Sequence, residues 1–201
     1  MLDTLAGYFR STTGVELVAV GLAIAYLLFA IRASVWCWPL AFASSALYIY
    51  VFACARLYMD AVLNLFFAVM AGYGWYQWRY GGPGRSARPI TRAPLRVHLI
   101  ACAVIAALTL VFGEVLGRYT NQAWPHVDSL IAWASVVTTW LAARKYIDNW
   151  PYWIAIDAIA VPVYENRHLR VTAVLFALYV VLAIVGWLNW QRVLRRQAAP
   201  A

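Results

Sequence analysis

Seven long apolar runs, separated by short polar connections, rule out an ordinary soluble fold for this chain. A helix of about 20 apolar residues crosses the roughly 30 Å hydrocarbon core of a bilayer, and a soluble domain has about 25% charged residues. Here 65% of the 201 residues are hydrophobic and only 12% are charged. The sequence therefore predicts an all-α membrane protein of seven transmembrane helices. The predicted spans are Val15–Ile31, Trp36–Ala55, Tyr58–Trp78, Val97–Leu116, Ser129–Ala143, Trp150–Tyr164 and Val171–Trp190.

The basic residues of the connections predict the orientation. If the helices alternate, the side with the N-terminus holds five basic residues and the other side holds eleven, five of them in the Gly- and Pro-rich connection Arg79–Arg96. The richer side faces the cytoplasm by the positive-inside rule. We therefore predict a bacterial inner-membrane protein with its N-terminus outside and its C-terminus in the cytoplasm. Because Met1–Gly14 lacks the signature of a cleaved leader, we expect the first helix to stay.

The charge pattern and the reactive residues exclude several functional classes. The net charge of +8 resides mostly in loops, so the predicted partner is the lipid bilayer and not nucleic acid. No hydrolase, kinase, metalloprotease or nucleotide-binding motif is present, so neither an enzyme nor a cofactor is predicted. The cysteines are predicted to be small packing residues and the histidines, at span ends, to form no metal cluster. These residues are Cys37, Cys54, Cys102, His98, His126 and His168.

An internal repeat organises the chain. A shift of 112 residues aligns Trp38-Pro39 with Trp150-Pro151, Gly74-Trp75 with Gly186-Trp187, and Trp78 with Trp190. Two three-helix units joined directly would have opposite orientations, and one extra helix between them restores the same orientation. The sequence predicts one transmembrane domain in a 3+1+3 order, with repeats at 15–78 and 129–190 and a linker helix at 97–116. Parallel repeats are typical of transporters whose site lies near the midplane between the repeats.

Asp157 is the strongest candidate for a functional residue. Ionisable groups inside a membrane are costly and usually functional, and Asp157 lies mid-span in a segment interrupted later by Pro162. Asn149, Trp153 and Asp157 are spaced four apart, so they share one helix face. A carboxylate one turn from an aromatic ring suits a flat, cationic ligand; the alternative is a carboxylate paired with Arg or Lys of a neighbouring helix. We expect six other acids to be solvated: Asp3, Glu16, Glu114, Asp128, Asp148 and Glu165.

The third span carries a second polar face, formed by Asp60, Asn64 and Phe67. Asn64 could bind a ligand or bridge two helices, as buried amides do. Tyr48, Tyr73 and Trp153 are further candidate ligand contacts, and Trp150 beside Asn149 is included with them. Seven tryptophans near span ends are expected to form an aromatic belt at the membrane interface. They are Trp36, Trp38, Trp75, Trp78, Trp150, Trp187 and Trp190.

These residues closely resemble the PnuC family of bacterial vitamin transporters. The similarity covers nearly the whole chain after the first ten residues. It is carried by Trp38-Pro39 with Tyr48, by Leu57–Asn64 running to Gly74-Trp75 and Trp78, and by Asn149-Trp150 with Trp153, Tyr164 and Gly186-Trp187. The resemblance implies a seven-helix fold similar to the sugar-transporting SWEET proteins.

The resemblance also implies a function. It implies uptake of nicotinamide riboside for NAD biosynthesis by facilitated diffusion, with phosphorylation by a separate cytoplasmic kinase trapping the substrate. The family often has Gln where Asn64 stands and Asn where Asp157 stands, and both positions look like ligand contacts. An added negative charge fits a pyridinium or the thiazolium of thiamine better than neutral riboflavin.

Three alternatives remain open. Thiamine, and less readily riboflavin, are the other cargoes. A membrane assembly or signalling protein is the alternative outside transport, and a membrane-embedded enzyme is disfavoured by the lack of paired catalytic groups. Oligomeric state is open, a homo-oligomer included.

Overall fold

The computed structural model describes residues 14–54, 56, 58–120 and 123–198. Its described residues form seven α-helices: α1 (Gly14–Ile31), α2 (Cys37–Cys54), α3 (Tyr58–Tyr80), α4 (Leu95–Tyr119), α5 (Pro125–Ala143), α6 (Asn149–Asn166) and α7 (Arg170–Ala198). Each predicted span corresponds to one of these helices. The segment before Gly14, with Asp3, Arg10 and the prediction about a leader, lies outside the described residues, as does Leu57; the side chain of Glu16 is not described either.

Three of the described helices, α2, α4 and α7, are long and apolar enough to cross a membrane by length and composition alone. The apolar part of α1 is shorter, Val18–Ile31. The remaining three contain polar residues within their length, such as Asn64 in α3, Asp128 in α5 and Asp157 in α6. Such residues lower the mean hydropathy of a helix below that of a wholly apolar span.

The helices form two compact units, α1–α3 and α4–α7. Within each unit, helices that follow one another in the chain pack together. The buried core of both units is rich in alanine, a small residue that lets helices approach closely. These alanines are Ala19, Ala30, Ala68 and Ala71 in the first unit, and Ala101, Ala134, Ala142, Ala143, Ala160, Ala173 and Ala183 in the second.

The turn between α1 and α2 is repeated between α5 and α6. Ala33 has φ 54° and Lys145, 112 residues later, has φ 57°. Ala33 N donates to Ala30 O at 2.9 Å, and Lys145 N donates to Ala142 O at 2.8 Å. The next amide in each turn donates to the carbonyl five residues before it, at 3.0 Å and 3.1 Å. This is the Schellman motif, which satisfies the last carbonyls of a helix.

A tryptophan knot recurs in each unit at the same spacing. We use this name for Trp38, Gly74 and Trp78 in the first unit, and for their equivalents Trp150, Gly186 and Trp190 in the second. The two indoles of each knot meet edge to face, with ring centroids 5.5 Å apart in the first unit and 5.6 Å apart in the second. All four tryptophans are at most 2% exposed. A Cβ at either glycine would overlap the ring of Trp38 or Trp150.

The knots correct the prediction of an aromatic belt. Trp38, Trp78, Trp150 and Trp190 are core residues of their units, whereas Trp36 and Trp75 are exposed. An indole at the end of a span can face the lipid or the core of its unit. Here the missing Cβ of the opposite glycine leaves space in the core, and the indole fills it. The belt prediction is therefore wrong for these four residues.

Five other expectations are also corrected: those for Pro162, Cys54, Cys102, Asp128 and Asp148. α6 continues through Pro162 as far as Asn166, so the proline does not interrupt the helix. Cys37 is buried, as predicted, but Cys54 and Cys102 are exposed. Asp128 and Asp148 are not solvated: their side chains are only 18% and 19% exposed, and both are bonded.

Between Gly81 and Pro94 the Gly- and Pro-rich connection contains no α-helix, as predicted, whereas its two ends belong to α3 and α4. It contains a single 3₁₀ turn, Pro83–Arg85. Arg88 Nη1 lies 3.1 Å from Gln77 Oε1 and 3.3 Å from Gly81 O, which holds the turn against the end of α3. Farther along, Thr91 N donates to Lys145 O at 3.3 Å, and Ile147 N donates to Thr91 O at 2.9 Å. The segment before α4 is therefore attached to the turn between α5 and α6.

Candidate functional site

The α6 helix carries four of the predicted site residues: Asn149, Trp150, Trp153 and Asp157. The helix is continuous over all of them, so Asn149, Trp153 and Asp157 share one face, as the spacing predicted. Trp150 is one residue off that face and is held in the second tryptophan knot. Its geometry is that of a packing residue, and we do not include it among the proposed ligand contacts.

The Asp157 carboxylate is buried, and no cationic side chain among the described residues pairs with it. Its residue is 5% exposed, and among the described part of the chain it makes no hydrogen bond or ion pair. The phenol of Tyr179 on α7 lies within electrostatic range of it. A buried, unpaired carboxylate is costly in a protein interior. The alternative of an Asp157 paired with Arg or Lys finds no support among the described residues.

Three arginines at or near helix ends of the second unit are paired with acids other than Asp157. Arg167 Nη2 lies 2.7 Å from Asp128 Oδ2, and Arg118 Nε lies 2.6 Å from Glu114 Oε1. Arg170 Nε lies 3.6 Å from Glu165 Oε1. These pairs all lie at or near helix ends, whereas Asp157 lies in the middle of α6.

Trp153 lies on the edge of an apolar cluster one turn before Asp157. The cluster consists of Ile105 on α4, Ala134 on α5 and Ile156 on α6. Tyr152 and Trp153 pack against it and remain partly exposed. Asn149 is buried, and its Nδ2 donates to Tyr146 O at 2.6 Å. Residues of α4, α5 and α6 therefore fix the position of Trp153, and the turn before α6 fixes that of Asn149.

The first unit carries the other five predicted residues: Tyr48, Asp60, Asn64, Phe67 and Tyr73. Asn64 Nδ2 donates to Asp60 O of its own helix at 2.9 Å, and this is neither of the roles predicted for it. Asp60 is exposed, and Phe67 meets its neighbour Phe66 edge to face at 5.7 Å. Tyr48 stacks on Phe52, with centroids 5.5 Å apart. Each of these contacts lies within a single helix.

Some serines and threonines of the spans make hydrogen bonds between helices or within one helix, and others are buried without a described partner. Ser44 Oγ donates to Ala19 O at 2.9 Å, a hydrogen bond between α2 and α1. Thr139 Oγ1 donates to Ser135 O of its own helix at 2.8 Å. Thr138 Oγ1, Ser129 Oγ and the indole nitrogens of Trp38 and Trp150 are buried with no described partner. These buried donors could not be predicted from the sequence, because burial depends on how the helices face one another.

The sequence reasoning also missed a polar cluster at the start of α6. His98 Nδ1 lies 3.1 Å from the Tyr152 hydroxyl, and His98 Nε2 lies 3.9 Å from Asp148 Oδ1. The partners are about 50 residues apart in the sequence, and no local pattern links them. The one available signal was the spacing of His98 and Cys102, four apart on one helix face.

Comparison with known proteins identifies the family. The sequence profile described as nicotinamide mononucleotide transporter matches residues 13–192. The chain belongs to this family. This match confirms the resemblance to PnuC proteins predicted from the residues. Members of the family are transporters, and the chain is a multi-pass membrane transport protein.

Curated relatives match most of the chain. The riboflavin/roseoflavin transporter RibM of Streptomyces davaonensis is 25% identical over 174 residues, 84% of this chain and 80% of the relative. The nicotinamide riboside transporter PnuC of Escherichia coli K12 is 24% identical over 165 residues, 68% and 69% of the two chains. PnuC of Neisseria mucosa is 25% identical over 167 residues, 77% of this chain and 63% of the relative.

A solved structure shares the fold. The crystal structure of the vitamin B3 transporter PnuC superposes with a TM-score of 0.72 at 20% sequence identity, covering 97% of this chain and 88% of the other. The predicted all-helical fold of seven helices is therefore confirmed.

Proposed function

We propose that this protein takes up nicotinamide riboside by facilitated diffusion with alternating access. The observation that carries the proposal is the buried Asp157 carboxylate, which makes no hydrogen bond or ion pair among the described residues. A ligand with a permanent positive charge would supply the missing counter-charge. In a membrane-embedded site that attraction is little weakened by water.

Trp153 and Asp157 are the proposed primary contacts. Trp153 lies one helical turn before Asp157 and is partly exposed, so its ring is available for stacking on a flat heterocycle. A pyridinium ring combines a planar surface with a delocalised positive charge, and both properties are favourable next to an indole and a carboxylate. Asn149 would add a hydrogen bond from the same helix face.

The candidates of the first unit are retained as separate hypotheses. Tyr48, Asp60, Asn64, Phe67 and Tyr73 are each proposed as ligand contacts to be tested by single substitutions. For Asn64 to bind a ligand, its amide would have to exchange its present bond to Asp60 O for one to the substrate. That exchange is cheap, because one hydrogen bond replaces another.

Riboflavin is the second candidate cargo, because a relative named as its transporter matches 84% of this chain. Its neutral ring system would leave the Asp157 charge without a partner, and that is why we favour a cation. Thiamine, whose thiazolium is a cation, satisfies the same charge argument and is the third candidate.

The proposed setting is the bacterial inner membrane, with the helices in a 3+1+3, SWEET-like order in which α4 is the added helix. The recurrence of the Schellman turn and the tryptophan knot at an offset of 112 residues supports repeated triples. A uniporter of this kind only equilibrates its cargo. We therefore propose that a separate cytoplasmic kinase traps the substrate by phosphorylation.

A ligand screen on the purified protein tests the proposed cargo. A ligand that binds only the folded protein at 100 times its Kd stabilises it by about 2.7 kcal/mol. We expect nicotinamide riboside to raise the melting temperature and to support counterflow in liposomes, with riboflavin inactive in both assays. Stabilisation and counterflow by riboflavin alone would contradict the proposal.

The variant Asp157→Asn tests the proposed site. The amide keeps the shape of the side chain and removes its charge. We expect it to weaken nicotinamide riboside binding by about ten- to a hundredfold, the lower part of the range for close pairs of opposite charge. Calorimetry on purified protein measures the affinity. The matched control is Glu114→Gln, which removes an exposed acid from α4 and should bind like the wild type; equal affinity in Asp157→Asn would remove Asp157 from the site.

A further inference from the structure

The linker helix α4 is fastened to the start of α6 by a cluster of side chains around Tyr152. His98 Nδ1 lies 3.1 Å from the Tyr152 hydroxyl, and the two rings stack with centroids 5.9 Å apart and an interplanar angle of 12°. One turn farther along α4, Cys102 Sγ lies 3.7 Å from the same hydroxyl. Two residues of one α4 face therefore hold a single phenol of α6.

Asp148, the residue just before α6, extends this cluster to the backbone. Its Oδ2 accepts a hydrogen bond from Ala93 N at 2.6 Å, and its Oδ1 lies 3.9 Å from His98 Nε2. The imidazole thus lies between the Tyr152 hydroxyl and the Asp148 carboxylate, one ring nitrogen toward each. We call Ala93, His98, Cys102, Asp148 and Tyr152 the α4–α6 clasp.

The clasp reaches the proposed ligand contact through the body of the Tyr152 ring. Tyr152 and Trp153 both pack against the apolar cluster of Ile105, Ala134 and Ile156. Because packed interiors transmit displacement, a Tyr152 released from His98 would allow the first turns of α6 and the Trp153 indole to shift.

We infer that His98 and Tyr152 are positioning residues for Trp153, and that α4 is therefore a working part of the substrate site as well as a connection between the repeats. This inference rests on the proposed role of Trp153. A helix that only restored the orientation of the second repeat would need apolar packing alone. The clasp instead uses a partly buried imidazole, a phenol and a carboxylate to fix one end of the helix that carries Asp157.

Hydrogen–deuterium exchange tests the clasp without any substrate. In His98→Ala and Tyr152→Phe, purified in detergent, the amides of residues 153–158 should exchange about three- to tenfold faster, the factor that one lost hydrogen bond allows. The controls are Tyr50→Phe, at an exposed tyrosine of α2, and His168→Asn, at an exposed histidine whose positive φ of 60° asparagine tolerates. Unchanged exchange in both clasp variants would overturn the inference.

Transport kinetics test the positioning role. We expect His98→Ala and Tyr152→Phe to raise KM by about three- to tenfold with Vmax within about twofold of the wild type. His98→Gln, which can still bond to the Tyr152 hydroxyl, should recover most of the KM. Faster exchange with an unchanged KM, or no recovery in His98→Gln, would make the clasp a purely structural contact and overturn the inference.

The two proposals can fail separately. If the wild type carried thiamine or riboflavin, the proposed cargo would be wrong and the KM comparison would use that vitamin instead. If it carried no vitamin, the proposed function would fall, and the positioning role that depends on it would fall with it. The exchange experiment would still decide whether α4 holds the start of α6.

Discussion

The packing of each tryptophan knot depends on one missing atom, the Cβ that its glycine lacks. In each knot an indole occupies the space that a Cβ on the opposite glycine would fill. Glycine costs a helix roughly 0.5–1 kcal/mol relative to alanine, and the buried edge-to-face indole pair offsets this cost. The knot thus explains why the motif G-W-x-x-W recurs at a fixed distance from W-P.

The glycines of the knots can be tested by adding a single methyl group. Gly74→Ala should lower stability by about 1–3 kcal/mol, because the new Cβ overlaps Trp38 and overpacks the core. Thermal unfolding followed by circular dichroism measures the change. Gly72→Ala in the same helix is the control, since a methyl group added there would enter open space, with no neighbouring side chain within 4 Å. Equal melting temperatures for the two variants would show that the knot tolerates the methyl; Gly186→Ala should repeat the result in the second unit.

At the scale of whole helices, the second unit is tied at both ends of α6. The α4–α6 clasp holds its start, and the ion pair of Asp128 on α5 with Arg167, just after α6, holds its end. The middle of the helix carries Asp157, which makes no such bond among the described residues. Fixed ends and an unpaired centre agree with the proposed role of α6, in which Asp157 contacts the ligand.

The ion pair at the end of α6 should matter for stability. Its two side chains are 30% and 18% exposed, whereas those of the pair Arg170–Glu165 are 79% and 57% exposed. We expect Arg167→Gln to lower the free energy of unfolding by about 1 kcal/mol, which corresponds to about 2–4 °C in melting temperature for a chain of this size.

Arg170→Gln is the matched control, because water and salt screen its exposed pair. We expect its melting temperature to stay within about 1 °C of the wild type. High salt should reduce the difference between Arg167→Gln and the wild type only slightly. If both variants melted alike, the burial of the Asp128–Arg167 pair would contribute nothing to stability.

At the scale of the whole molecule, seven helices and the basic residues of the loops predict where the termini lie. An odd number of spans puts the termini on opposite sides, and the side with eleven of the sixteen basic residues should face the cytoplasm. Fusions of alkaline phosphatase and green fluorescent protein to each terminus measure this directly. We expect phosphatase activity only at the N-terminus and fluorescence only at the C-terminus.

Two results would contradict this orientation. Both termini on one side would contradict seven crossings, and reversed signals would contradict the orientation alone. As a control, removing the positive charges of Arg192, Arg195 and Arg196 should weaken the preference, because basic residues near span ends orient a membrane protein.

The sequence alone determined the helices, the repeat and the family. The length of each apolar run and the breakers between runs are local properties, so the predicted spans agree with α1–α7 to within a few residues at most ends. The spacing of four also placed Asn149, Trp153 and Asp157 on one face, because that depends only on helix geometry.

Only the tertiary structure decided which of these side chains face a neighbour. Trp36 and Trp38 are two residues apart, yet one is 65% exposed and the other 2%. Asp148 was expected to be solvated but is bonded to Ala93, and His98 meets Tyr152 across 54 residues of chain. The pattern of apolar residues does not predict which helix packs against a given helix face. That depends on how all the helices of the unit pack together. The helices of this protein are therefore a property of its sequence, and the clasp, the knots and the isolation of Asp157 are properties of how those helices pack.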